Sequence, residues 1–409
     1  MALLASCHAA PDQTAPMAAA GQAPAVFARN TGTVEPVVKQ YFTGYRRFRG
    51  TIGGQPVTVE LTIGPGGNSR DSAATCEGSY TYDRHPAGQL VLHGPQPFYP
   101  QRSLVLTEAD TAHPGIPTGR WQANQPAGAV LMGTWTSPAG KQIPFNLHED
   151  YTDGQGHLMA IRYEVVGEAA KVPCRPEREE GETKAEYRTR VAGYDHGYSQ
   201  QFLHLLGPDT LRPSLQALQC LVPAARRQLV RAAAQEDDGC NLHKVFLNVD
   251  YNAYGLLALT ESWEDDFITG ARPQYGARAT VCDLRTGQAL TMENVFRPGI
   301  DTLLQRLITQ HLLHDVNPDI EPEPGMAVPM HAADLAPLPS DFSIANGGVE
   351  FCYDMDEFQQ HQEFLAGGAN WFSVDVPYAE LIPLLRPDSP VARMLRQRGL
   401  WPGVGPKRQ

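Results

Sequence analysis

Alternation of apolar and polar residues with a period of two dominates the first part of this chain and commits it to β-structure. Over residues 57–63 every odd position is valine, leucine or isoleucine, and every even position is threonine or glutamate. A strand built from this pattern has one apolar face and one polar face. Similar segments recur from about residue 45 to 166, separated by Gly, Pro and Asp at intervals of roughly 8 to 12 residues. The pattern predicts an antiparallel meander of roughly eight or nine strands that forms a barrel or a sandwich.

The pattern changes after Pro173, where two prolines and an acidic run at 177–182 interrupt it. Beyond this point, helical spacing of apolar residues predicts a helix that begins at Pro223 and an amphipathic helix between Ile300 and Leu312. Strands are predicted between and after these helices, so this part has an α+β pattern with helices packed on a sheet. The predicted organisation is a truncated lipoprotein signal remnant (1–7), an Ala/Pro-rich tether (8–40), an all-β domain (41–168), a linker (169–190), an α+β domain (191–400) and a tail (401–409).

The second domain resembles a known family over residues 248–387. The motifs that carry the resemblance occur in the family's order and include D-L-R-T-G-Q-A-L-T at 283–291 and V-P-Y-A-E-L at 376–381. They are similar to those of the RsiV-like C-terminal domain, a module of bacterial envelope proteins. The resemblance implies an α+β fold outside the cytoplasmic membrane; one relative is an anti-sigma factor whose external domain binds lysozyme, and another carries a peptidoglycan deacetylase domain. The family's G-G-A-H element is here 269–272, T-G-A-R, so its histidine is lost.

The N-terminal β-segment also resembles a module of exported proteins from Bacteroidetes-type bacteria. The elements that carry the resemblance are G-T-I-G-G-Q-P-V at 50–57, G-S-Y-T-Y at 78–82 and G-T-W at 133–135. This resemblance brings no known activity with it. Trp121 and Trp135 lie in the same segment, and they are either an aromatic platform for a sugar or an apolar ligand, or two core or rim tryptophans of a small β-domain.

The first residues predict export with a lipid anchor. Leu4-Ala5-Ser6-Cys7 resembles a bacterial lipobox, and an Ala/Pro-rich stretch follows it as in a surface tether. Cys7 is therefore the expected lipidation site, with the N-terminal lipid as the only membrane contact. The other six cysteines form an even set, which permits disulfides in an oxidising compartment, and Cys220 with Cys240 is the first candidate pair. Free buried thiols are the alternative.

Charge and motif content exclude several classes of function. Lys plus Arg number 33 and Asp plus Glu number 45, so the net charge of −12 argues against nucleic-acid binding. His311 and His314 have helical spacing but lack a third ligand in a recognisable motif. The sequence predicts no metal and no cofactor.

Two sites compete for a functional role. The first is a predicted recognition loop around 269–272, whose aromatic and cationic side chains are of the types enriched in interface hot spots; its predicted binding residues are Trp263, Phe267, Arg272 and Tyr275. A purely structural turn is the alternative reading of this loop. The second is an acidic group that a glycosidase could use, or that forms a solvated turn at a strand end: Glu261, Glu264, Asp265 and Asp266.

These observations favour a non-enzymatic envelope lipoprotein that binds an envelope protein or a glycan. The alternative is a carboxylate-dependent hydrolase that acts on cell-wall carbohydrate. The two differ in what they require, because a catalytic cleft needs convergent carboxylates whereas a binding module needs an accessible apolar or aromatic surface.

Overall fold

The computed structural model describes the chain over residues 38–64, 75–83, 85–95, 104–110, 113–124, 129–153, 155–171, 181–192, 197–206, 241–267, 274–315, 335–354 and 371–403. The strands within these residues are β1 Val38–Ile52, β2 Gln55–Gly64, β3 Thr75–Tyr82, β4 His85–Pro95, β5 Leu104–Asp110, β6 His113–Ala123, β7 Val130–Thr136, β8 Gln142–Glu149, β9 Arg162–Lys171, β10 Gly197–Leu206, β11 Asn241–Ala253, β12 Leu256–Phe267, β13 Gln274–Asp283, β14 Gln288–Ala289, β15 Asp341–Ile344, β16 Gly348–Asp354 and β17 Trp371–Pro377.

The helices within the same residues are short apart from one. They are α1 Lys184–Ala192, α2 Met292–Val295, α3 Asp301–Asp315, α4 Tyr378–Leu381 and α5 Pro390–Gln397. No helix in this part of the chain is both long and apolar enough to cross a membrane.

Strands β1 to β8 form an eight-stranded antiparallel barrel. Each strand pairs with the next along the chain, and β8 pairs back with β1, where Phe48 lies opposite Glu149 and Ile52 opposite Phe145. Alternate residues point inwards and fill the interior with large side chains, among them Phe48, Val57, Val59, Leu61, Leu92, Leu104, Leu106, Trp121 and Leu147. The predicted N-terminal antiparallel barrel is therefore confirmed, and its interior is a packed core.

Strand β1 also connects the barrel to a second, open sheet. Its residues 38–45 pair with β9 and its residues 48–52 with β8 along the same edge. Where the two neighbours diverge, Arg47 donates to the backbone carbonyls of Asp150 and Thr152 at 2.6 and 3.0 Å. Buried backbone carbonyls require hydrogen-bond donors, and the guanidinium supplies them where the β-ladder forks.

The open sheet continues from β1 through β9, β10, β11, β12 and β13 to the short β14. Its pairs are antiparallel except β10 with β11, which is parallel. The segment between β8 and β9 is fixed to the β11–β12 hairpin, because the Asn252 side chain exchanges two hydrogen bonds with the backbone of Ile161, at 2.8 and 2.9 Å. Gly255, in the hairpin turn, adds a backbone bond to Met159 at 2.8 Å.

A three-stranded sheet, β15–β16–β17, packs against β11–β13 together with the C-terminal helices. The shared core contains Tyr251, Ala258, Val281, Leu304, Ile308, Phe342, Phe351, Val374, Leu381, Leu385 and Leu395. Asp250, at a β-bulge in β11, links the two sheets by accepting from Thr260 at 2.7 Å and from Ser343 at 2.8 Å. Side-chain hydrogen bonds and apolar burial therefore both hold the sheets together.

The overall class is more strongly β than the predicted α+β. The helix predicted between Ile300 and Leu312 is present as α3, but the described helices are few beside the strands. The helix predicted at Pro223 lies outside the described residues. The predicted linker 169–190 begins inside β9 and ends inside α1. Strand β9, which precedes the linker, pairs with β10, which follows it in the chain. The domain boundary itself stays a prediction.

Candidate functional site

The acidic group of β12 is divided between two faces of a strand. Its members belong to the last seven residues of the strand and not to a turn, so neighbouring side chains alternate in direction. Glu264 faces the same side as Lys244 of β11, whose Nζ lies 3.2 Å from its Oε2. Asp265, on the other side, is hydrogen-bonded to His243. The sheet thus pairs two of these carboxylates with basic side chains, and the interpretation as a solvated turn is wrong.

The remaining geometry does not assemble a glycosidase pair. Glu261 and Asp265 share a face, but they are four residues apart on one strand, so their Cα atoms are separated by about 13 Å. The two carboxylates of a glycosidase lie about 5 to 9.5 Å apart. The side chain of Asp266 lies outside the described side chains. The described carboxylates therefore carry no specific support for hydrolysis.

Two of the predicted binding residues, Trp263 and Tyr275, lie on opposite faces of the sheet. Trp263 lies opposite Gly276 on β13, and its indole ring covers that glycine so closely that a Cβ there would overlap the ring. Tyr275, next to Gly276, points to the opposite face of the sheet and is 42% exposed. Arg272 and the side chain of Phe267 lie outside what the structure describes. Trp263 is thus a partly buried cross-strand packing residue, while Tyr275 is accessible.

Asp265 belongs to a row of three side chains that come from three neighbouring strands. Sequence reasoning did not predict this row. Tyr198 of β10 and His243 of β11 stack with ring centroids 4.9 Å apart, and His243 contacts Asp265 of β12. Burial raises the pKa of Tyr198, and the carboxylates of Glu261 and Asp265 raise it further. The row links the parallel pair β10–β11 to its antiparallel neighbour. No sequence spacing relates these residues, because they come from three separate strands.

The D-L-R-T-G motif has a structural role in this chain. Asp283 accepts from the Arg285 backbone N–H at 3.0 Å and from Arg393 of α5 at 2.8 Å. Gly287 closes the turn with φ +71°, a conformation that favours glycine. Thr291 ends the motif as the N-cap of α2, in a capping box with Asn294. The motif thus folds a strand end, a tight turn and a helix start, and anchors them to α5.

A carboxylate buried in the barrel is the second feature that sequence reasoning missed. Glu108 is 2% exposed. Its Oε2 accepts from Tyr80 at 2.7 Å, Trp121 at 2.9 Å and Trp135 at 2.6 Å, and its Oε1 accepts from Thr118 at 2.9 Å. Trp121 is buried in the core and Trp135 is partly buried against it, so the interpretation as core or rim tryptophans is confirmed. The sequence alone could have indicated this burial. Glu108 follows Leu104 and Leu106 at intervals of two residues along the strand, so its side chain points inwards as theirs do.

The cysteines and histidines assemble no metal centre in the described part of the chain. Cys76, Cys282 and Cys352 are buried, and burial raises the pKa of the Cys76 thiol to about 12. His311 contacts Glu380 at 3.2 Å. Cys7, the pair Cys220 and Cys240, and the side chain of His314 lie outside the description, so lipidation and that disulfide stay predictions.

A groove lies beside the outer edge of β13 in the C-terminal half. Its volume is about 530 Å³, and its walls are β13, the β14–α2 segment and the start of β15. The floor is apolar, with Ala279, Val281, Leu290, Met292 and Phe342. The rim is charged: Arg278, Glu293 and Asp341. An apolar floor with a few polar groups at the rim is the usual composition of a recognition site.

Comparison with known proteins finds matches among solved structures. No family model and no curated protein matches the chain. Among solved structures, a DUF3298 family member from Bacteroides fragilis is 14% identical and covers 58% of this chain and 98% of its own, with a TM-score of 0.39. A DUF3298 family protein from Pseudomonas aeruginosa is 15% identical and covers 56% and 93%, with a TM-score of 0.33. The RsiV-like resemblance stays a prediction.

Proposed function

We propose that this protein is a non-enzymatic binding module of the bacterial cell envelope, and that it holds another envelope protein at the groove beside β13. The groove carries the proposal, because it combines an apolar floor with an accessible charged rim. Glu264 is paired with Lys244 and Asp265 with His243. This supports a binding role over hydrolysis, since both carboxylates already contact basic side chains of the neighbouring strand. Export and a lipid on Cys7 remain part of the proposal.

A protein is favoured over a glycan by the chemistry of the groove. Sugars are usually bound by an open aromatic face, but the aromatic residue that lines this groove, Phe342, is 4% exposed. Backbone groups at a strand edge and a mixed-charge rim suit a polypeptide better.

Site-specific photo-crosslinking of the full chain in solubilised envelope from the source organism tests this function. A photoreactive phenylalanine derivative at position 293, on the groove rim, should give an adduct with an envelope protein. The matched control is position 116 on the barrel, where Ile116 is 63% exposed. Equal labelling from both positions, or capture of peptidoglycan fragments without a protein adduct, would count against the proposal.

The anchor has its own test. The mature protein should begin with a lipid-modified Cys7, which mass spectrometry of the membrane fraction detects. An intact extension before Cys7 in the cytosolic fraction would remove the envelope from the proposal.

A further inference from the structure

The outer edge of β13 is paired for only a small part of its length. On its inner side, β13 pairs with β12 from Gln274 to Asp283 without a register shift. On its outer side, among the described strands, only β14 pairs with it, at Cys282 and Asp283. Within the part of the chain that the structure describes, the edge therefore continues along the groove without a paired strand.

Two hydrogen bonds fix the direction of the backbone groups on this edge. The Leu284 N–H donates towards β12, to Gly255 at 2.9 Å, whereas the Val281 carbonyl accepts on the other side from Leu290 at 2.6 Å. Backbone direction alternates along a strand that has no bulge. Ala279 and Ala277 therefore turn their N–H and C=O groups outwards with Val281, and the described residues place no backbone partner opposite them.

The chain itself begins a ladder on this edge and then leaves it. Gln288 and Ala289 of β14 run antiparallel to β13, and Leu290 adds the bond to Val281. Thr291 then caps α2, which redirects the chain. The ladder ends because its own strand turns into a helix, and the groove of about 530 Å³ occupies the continuation.

From this geometry we propose that the groove binds an extended polypeptide segment as an added strand, antiparallel to β13 and in line with β14. The proposal rests on the proposed function, because it specifies how the envelope protein is held. Continuity with β14 is the argument for this occupant: the ladder, its direction and its register are already set. The open stretch 275–280 spans about 20 Å, enough for a short strand.

The two faces of the added strand meet different surroundings. One face meets the apolar floor that includes Ala279 and Phe342. The other lies beside Arg278, whose side chain is 72% exposed and whose Nε lies 4.0 Å from the Asp341 carboxylate. Cross-strand neighbours of opposite charge are favourable. The segment should therefore alternate apolar and polar residues, with an acidic residue opposite Arg278.

Peptides selected from a displayed random library against the full protein provide the probe. Ala277→Pro removes one outward N–H without touching the bonds to β12 and should weaken peptide binding about tenfold or more. Ala277→Val keeps the N–H and should bind within about twofold of the wild type. Circular dichroism and the melting temperature establish that both variants are folded.

Backbone methylation of the selected peptide provides a second measurement that leaves the protein unchanged. Methylation of every second amide should abolish binding, and methylation of the intervening amides should not, because only alternate amides face β13. Strand addition would be overturned if the methylated amides that weaken binding were spaced as on one face of a helix. It would also be overturned if a folded Ala277→Pro protein bound the peptide as the wild type does. A dimer of this chain that Ala277→Pro dissociates would also overturn it, by making a second copy the occupant.

The two proposals fail in different ways. Crosslinking of an envelope protein from position 293 that persists in Ala277→Pro would refute strand addition and leave the proposed function standing. Loss of the adduct in Ala277→Pro but not in Ala277→Val supports both.

Discussion

Removal of the Glu108 carboxylate should destabilise the barrel more than any conservative change at that position. In Glu108→Ala the Tyr80 hydroxyl and the Trp121 indole N–H, both buried, lose their acceptor. A buried donor left without a partner costs about 1 to 3 kcal/mol, so the two together cost about 2 to 6 kcal/mol. Domains are typically stable by only about 5 to 15 kcal/mol, so the loss is large.

Urea denaturation followed by tryptophan fluorescence measures this loss, because Trp121 and Trp135 lie at the carboxylate. Glu108→Gln keeps one acceptor oxygen and should cost less than about 2 kcal/mol. Glu77→Ala on β3 is the control; its side chain is exposed, and the change should stay within about 0.5 kcal/mol. The reasoning is refuted if Glu108→Ala costs less than about 1 kcal/mol or no more than Glu108→Gln.

Two further predictions concern ion pairs. Burial raises the pKa of Glu149, but hydrogen bonds from Arg46 and Tyr151 and the charges of Arg46 and Arg162 outweigh it, so the folded pKa is below its ordinary value. The wild type should therefore be more stable than Glu149→Gln at neutral pH, and this difference should shrink as the pH falls below about 4. Denaturation curves at several pH values measure the difference. A difference that does not change with pH would contradict the prediction. Asp283→Asn should lower the free energy of unfolding by about 1 to 3 kcal/mol while peptide binding by the folded protein is unchanged; unchanged stability with lost binding would show a recognition role.

The barrel was predictable because its information is local. Alternation such as that at 57–63 determines which side chains face inwards, and glycine and proline mark the turns. Helix α3 was equally visible from its apolar spacing. The proportion of helix was less predictable, since short strands and short helices give similar runs of apolar residues.

The candidate site was predictable only as a set of residue types. Trp263 and Tyr275 looked like one recognition surface, but their strands place them on opposite faces. The acidic group looked like a cluster, yet its partners Lys244 and His243 come from β11. Pairing across strands depends on register, and no local pattern contains it.

The sequence by itself determined the strand-forming periodicity, the barrel's inward residues and the amphipathic helix, because each depends on neighbours along the chain. The tertiary structure alone decided that β1 is shared between barrel and open sheet, that Glu108 meets two tryptophans, and that only the short β14, among the described strands, pairs with the outer edge of β13. These features bring together residues far apart in the chain, and they arise only when the strands have paired and, within the described residues, most of one edge has no strand beside it.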